Sequence, residues 1–119
     1  MTDWRAVWIG FAVGIVAGLL AFAVPVIGHI GAGLIGGFAA GYVASGGVLN
    51  GAWHGLLAGA IGGVVLALVF GIGAGLLGVI SAGPAGGLFG AGVVVVGVLI
   101  AFVLALDSAI GGAIGSLLA

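Results

Sequence analysis

Charge is what this chain most conspicuously lacks. Its only strongly charged side chains are Asp3, Arg5 and Asp107, and from Ala6 to Leu106 there is no Asp, Glu, Lys or Arg. A soluble domain carries roughly a quarter charged residues, and a surface so poor in charge could not stay dispersed in water. Uncharged apolar runs near 20 residues are read as membrane spans. The lipid bilayer is therefore the expected solvent. A single cation excludes a basic nucleic-acid footprint, so no nucleic-acid partner is expected. Cysteine is absent as well, which excludes disulfides, thiolate metal sites and thiol nucleophiles.

What the chain has in abundance is glycine, 29 residues in 119, within a sequence that is 65% hydrophobic. In water so much glycine argues against helix, at about 1 kcal/mol per residue relative to alanine. In lipid every backbone N–H and C=O must be paired internally, so only helices and closed barrels span. A barrel would show segments of about 10 residues alternating apolar and polar, whereas the runs here are long and continuous. Helices are expected, with the glycines as packing surfaces.

Met1–Ala6 reads as an interfacial start. Asp3 can cap the first turn, and Trp4 and Trp8 suit the headgroup layer. The spans are expected at about 5–24, 26–44, 53–81 and 85–106, with an apolar tail at 107–119, all in a single domain over 1–119. Arg5, the apolar run and Ala21-Phe22-Ala23 imitate a cleaved secretory signal, but the run is longer than a signal core and carries its own glycine stripe. Pro25 breaks the helix. Ser45 to Gly51 is a polar, turn-rich connection, and Ser81-Ala82-Gly83-Pro84 is the next turn. The third span, about 42 Å if straight, exceeds a hydrocarbon core of about 30 Å. It is expected to tilt, or to loosen around Gly71–Gly75.

The chain also repeats itself. A shift of 49 positions pairs Trp4 with Trp53, Gly10 with Gly59, Gly14 with Gly63, Val16 with Val65 and Leu19 with Leu68. A shift of 59 pairs Pro25 with Pro84, Gly28 with Gly87, Gly31 with Gly90, Ala32 with Ala91 and Gly33 with Gly92. Each unit holds two spans, so the copies run parallel, unlike the inverted repeats of many transporters.

WRAVWIGF, PVIGHIGAGLIGGFAAGY, NGAWHGLLAGAIGG and ALDSAIGGAIG, in that order, resemble a family of small, glycine-rich haloarchaeal membrane proteins of uncharacterised function. The resemblance covers nearly the whole chain. It implies four spans in the cell membrane, and it brings no activity and no catalytic residues.

Glycine stripes lie on every span: Gly10-Gly14-Gly18, Gly33-Gly37-Gly41, Gly55-Gly59-Gly63 continuing to Gly71-Gly75, and Gly97-Ala101-Ala105. Spacing of four leaves one face of a helix bare, so another helix can approach closely. Most of these stripes are expected to pack the four helices of one subunit. Some could serve a homo-oligomer or a larger membrane complex. Gly33, Gly37 and Gly41 are expected to make the central contact.

Asp107 is the most informative single residue, because an ionisable group inside a membrane is a functional hypothesis by default. Two placements compete. With a span at 85–106 it sits at the interface and shares a face with Arg5 and His54, as an ion pair or proton site. With a span at 97–119 it lies in mid-membrane, like the carboxylate of a proton or cation carrier. The tail 108–119 is too short to span alone and either extends the helix or lies in the interface. His29 and His54 fall near opposite faces, which gives no shared metal site. No lysine follows a glycine loop, and no serine has a base at a recognisable spacing.

The expected protein is an all-α membrane protein of four transmembrane helices, built as two similar glycine-zipper hairpins. It needs no cofactor, metal or catalytic residue. It is read as a non-enzymatic structural or accessory subunit, multi-pass in the cell membrane, with both termini cytoplasmic by the positive-inside rule. The alternative is a small channel or a proton or ion carrier that uses Asp107.

Overall fold

The computed structural model describes residues 1–119, apart from the side chain of Val26. Four helices account for nearly all of it: α1 (Trp4–Leu20), α2 (Pro25–Ala44), α3 (Val48–Ala82) and α4 (Pro84–Leu117), with a single 3₁₀ turn at Ala21–Ala23. All four are long and apolar enough to cross a membrane.

The helix boundaries follow local chemistry. The Asp3 carboxylate accepts from the N–H groups of Arg5 (3.0 Å) and Ala6 (3.4 Å) and caps α1. Pro25 and Pro84 stand at the first positions of α2 and α4, where the missing N–H is no loss and the fixed φ suits a helix. Gly83 turns the chain between α3 and α4 at φ 69°, and Ser45, Gly46 and Gly47 all have positive φ between α2 and α3. Two glycines in that linker spare it the strain that side chains would bring.

The helices differ from the expected spans mainly in length. The third begins five residues before Trp53 and runs unbroken to Ala82 through Gly71–Gly75. The fourth does not stop at Leu106; residues 107–117 continue it, so the apolar tail extends the helix. At 1.5 Å per residue α3 and α4 are each about 52 Å long, in keeping with a longest dimension of 51 Å. Gly71–Gly75 stays helical because it is gripped. Gly90 packs on the backbone of Gly71 and Gly75, and Gly86 packs on that of Gly78.

The result is a short hairpin, α1–α2, laid against one half of a long hairpin, α3–α4. The stripe on α2 faces α4, with Gly33 on Asp107, Gly37 on Ser108 and Gly41 on Gly112. The first stripe turns to α2, Gly10 meeting Ala40 and Gly36, and Gly14 meeting Gly36. Gly55, Gly59 and Gly63 face α4 at Ser108, Ala105 and Ala101. Gly18 differs from the other glycines of its stripe, having no neighbouring atom within 4 Å of where a side chain would start. α1 rests on α2 and α3 but not on α4.

Close approach leaves little interior volume. The buried apolar residues are Val7 and a set of alanines, and among the described residues no fully buried side chain exceeds His54 in size. Leu, Ile and Phe side chains point outward along the whole length. This suits a protein whose surroundings are hydrocarbon, where small residues mediate helix contacts and large apolar ones meet lipid.

The Asp107 seam and the crevice beside it

Asp107 lies on α4 where that helix crosses the bare face of α2. A Cβ placed on Gly33 would sit 2.8 Å from Asp107 Oδ2, so the absence of a side chain at Gly33 is what admits the carboxylate. Oδ2 is buried and has no hydrogen-bond partner among the described residues. The residue as a whole is only partly buried, and its helical neighbours Val103 and Ile110 are both exposed. Gly33 is near the middle of α2, and Asp107 is ten residues, about 15 Å, from the end of α4 at Leu117. The carboxylate is therefore level with the middle of the short hairpin rather than with its end.

The structure does not bring the three candidate ion-pair residues together. Arg5 is exposed in the first turn of α1. Gly14, nine residues further along, lies against Ala32 and Gly36, which flank Gly33 on α2, so Arg5 is about 14 Å or more from the level of Asp107. His54 is wholly buried and its ring is fully engaged. Nε2 accepts from the Asp3 backbone N–H at 2.8 Å, and Nδ1 lies 2.7 Å from the Asn50 carbonyl. An N–H donor on one side and a carbonyl acceptor on the other fix the hydrogen on Nδ1. The sequence puts His54 on an interface face with Arg5; in the structure it is buried, with the Asp3 backbone N–H bonded to its ring. Trp53 Nε1 donates to Thr2 Oγ1 in the same contact, at 3.1 Å.

His29 is exposed near the far end of the short hairpin, bonded through Nδ1 to the Pro25 carbonyl and set edge-on to Phe22. Among the described residues no group of three His, Cys, Asp or Glu side chains is placed to hold a metal ion.

Because α1 does not reach α4, a crevice of about 310 Å³ remains between the hairpins, lined by Gly14, Phe22, Gly62, Phe70 and Leu104 among others. This is the lower end of the range for small-molecule sites, about 300–1,000 Å³. Gly18 opens onto it, which explains its lack of a packing partner, and Gly33 belongs to both the crevice and the Asp107 seam. Ser108 also lines it, but its hydroxyl donates to the Gly55 carbonyl at 2.8 Å. The crevice is thus a largely apolar gap whose polar side chains are Ser108 and His29.

From the sequence, Ser108 and Ser116 are weighed only as nucleophiles; their structural role and that of the glycines of the last turns emerge from the fold. Ser116 donates to the Gly47 carbonyl (3.0 Å) and ties the end of α4 to the start of α3. Gly111 packs on Leu34, Gly112 on Gly51 and Gly115 on Phe38. The four-residue spacing of Gly111 and Gly115 is the sequence signal that points to this packing.

No curated protein and no solved structure matches the chain. A family model does, over residues 4–118, and the chain belongs to that family, a family of unknown function (DUF5518).

Proposed function

We propose that the protein is a non-enzymatic accessory or structural subunit of the cell membrane, built as two similar glycine-packed hairpins and acting through helix contacts with a homo-oligomer or a larger complex. The observation that carries this reading is the uncovered outer third of the long hairpin. The short hairpin ends at the level where Phe22 and Phe70 share the crevice, and α3 runs a further 12 residues to Ala82, about 18 Å. That end of the long hairpin presents Leu76, Leu77 and Ile80 of α3 and Leu88 and Phe89 of α4 outward.

Water cannot surround such a surface, and lipid alone accommodates it poorly. Fitting helices of about 52 Å into about 30 Å of hydrocarbon needs a tilt near 55°, beyond the usual limit of about 40°. The same tilt would leave the short hairpin too short to cross. A protein partner along the extension resolves both problems. With an even number of spans and Arg5 at the first interface, both termini are assigned to the cytoplasmic side.

The test is crosslinking in native membranes through a cysteine at Leu88, followed by mass measurement in mild detergent. A defined oligomer or hetero-complex is expected, and particles containing a lone protomer would overturn the reading. A second reading, a proton or ion carrier, draws on the buried, unpartnered oxygen of Asp107 at mid-span. Flux in liposomes that Asp107→Asn abolishes would favour it.

A further inference from the structure

We infer that Asp107 is the docking point for a partner transmembrane helix that carries a basic side chain at the middle of its span. The inference rests on the accessory-subunit reading and specifies the chemistry of the partner.

The argument starts from an unmet need. A carboxylate oxygen buried without a hydrogen bond is costly in a protein interior, and more so where no water can reach it. Charged groups within membrane spans pair with one another or with backbone, or line a pathway. Asp107 Oδ2 has no partner among the described residues of its own chain. The side chain is partly open, and it lies on a seam whose rim is Ile30, Val103 and Ile110, all exposed and all apolar. The seam therefore faces hydrocarbon, with one acidic group at its base.

The possible donors can be sorted by position. A headgroup is about 15 Å away at either face. A second copy offers one strong cation, Arg5. In copies that lie parallel in a membrane, that residue stays at least about 14 Å from the level of Asp107, and a long basic side chain near a helix end turns to the interface rather than inward. Of the two histidines of a second copy, His54 is sealed inside its own bundle, and His29, one turn along α2 from Gly33, is already bonded through Nδ1 to the Pro25 carbonyl. A conducted proton would need a continuous polar route, and the adjoining crevice offers only two polar side chains: Ser108, whose hydroxyl is committed to Gly55, and His29, whose Nδ1 is bonded to the Pro25 carbonyl. Charge complementarity then leaves a different protein, with Lys or Arg near the centre of a span.

The probe is a synthetic transmembrane peptide of about 20 Leu and Ala residues with one central lysine, compared with the same peptide bearing leucine there. Association with the full-length protein in liposomes is read by energy transfer. The lysine peptide should bind about tenfold more tightly than the leucine peptide, and Asp107→Asn should remove that difference while Asp107→Glu retains it. Equal binding of the two peptides to the wild type, or a preference that survives Asp107→Asn, would overturn the inference. So would proton flux in the peptide-free liposomes that depends on Asp107, which would make the residue a transport site. If the peptides fail while native crosslinking still finds a complex through Leu88, this inference falls and the accessory reading stands.

Discussion

Gly37 of α2 faces the backbone carbonyl of Ser108 on α4 with no room for a side-chain carbon between them. The obstacle is backbone, so a methyl group at Gly37 can be admitted only if two helices move apart. Overpacking of this kind costs about 1–3 kcal/mol, more than the gain in helix propensity of up to about 1 kcal/mol. Gly37→Ala should therefore destabilise the bundle, while Gly92→Ala, where the space is open, should be neutral or slightly stabilising. Gly97 is intermediate: an added Cβ would lie 2.8 Å from the Ala67 side chain. Gly37→Leu should be more damaging than Gly97→Leu. Unfolding midpoints in detergent, followed by tryptophan fluorescence, check the order. Equal tolerance at positions 37, 92 and 97 would mean that the α2–α4 contact does not organise the fold.

His54 links the N-terminal cap of α1 to the first turns of α3, and it is the largest side chain fully removed from the surface. His54→Ala should cost about 2–3 kcal/mol, from lost volume and two lost hydrogen bonds. His29→Ala, at an exposed position, should stay within about 0.5 kcal/mol. Hydrogen exchange separates a local from a general effect: the Asp3 amide, donor to Nε2, should lose protection first in His54→Ala. Comparable losses from the two histidine variants would contradict the assignment of His54 as a buried clasp.

The contrast between these histidines illustrates what the sequence could reveal. Four spans and the turns between them were legible, because each depends on residues adjacent in the chain: apolar runs, the turns at Pro25 and at Gly83-Pro84, and the connection after Ala44; that the prolines lead their helices was not. The faces chosen by the glycine stripes were not. A four-residue period describes a smooth surface but names no partner, and the same period serves α1 on α2, α2 on α4 and α3 on α4. His54 looked interfacial because its lid, Thr2 and Asp3, lies about 50 residues away in sequence. Asp107 stayed ambiguous because a chain with almost no charge has nothing to mark where a helix of unusual length should end.

Three contacts gather the N-terminus, the α2–α3 linker and the C-terminus at one end of the bundle: Thr2 with Trp53, Asp3 with His54 and Ser116 with Gly47. Both hairpin tips point the other way. Single cysteines at Ser45 and Leu118 should react with a membrane-impermeant maleimide from one side of right-side-out and inverted vesicles. A cysteine at Ser81 should react only from the opposite side. Labelling of Ser45 and Ser81 positions from the same side would show that α3 does not cross.

Ser108 tests whether α4 is held by a hydrogen bond or by thinness. Two helices converge on it: from α2 Gly37 packs on its carbonyl, and from α3 Gly55 accepts its hydroxyl at 2.8 Å while a Cβ on Gly59 would lie 2.6 Å from its Cβ. Hydrogen bonds between membrane helices average about 0.6 kcal/mol, because the separated helices find other partners. Crowding penalties run to about 1–3 kcal/mol. Ser108→Ala should therefore have a small effect, near about 0.6 kcal/mol, and Ser108→Val a clearly larger one despite greater hydrophobicity. The double variant Gly59→Ala with Ser108→Val should be worse than either change alone, since both add carbon to the same gap. If Ala proves as damaging as Val in unfolding measurements, the hydroxyl and not the lack of bulk holds α3 to α4.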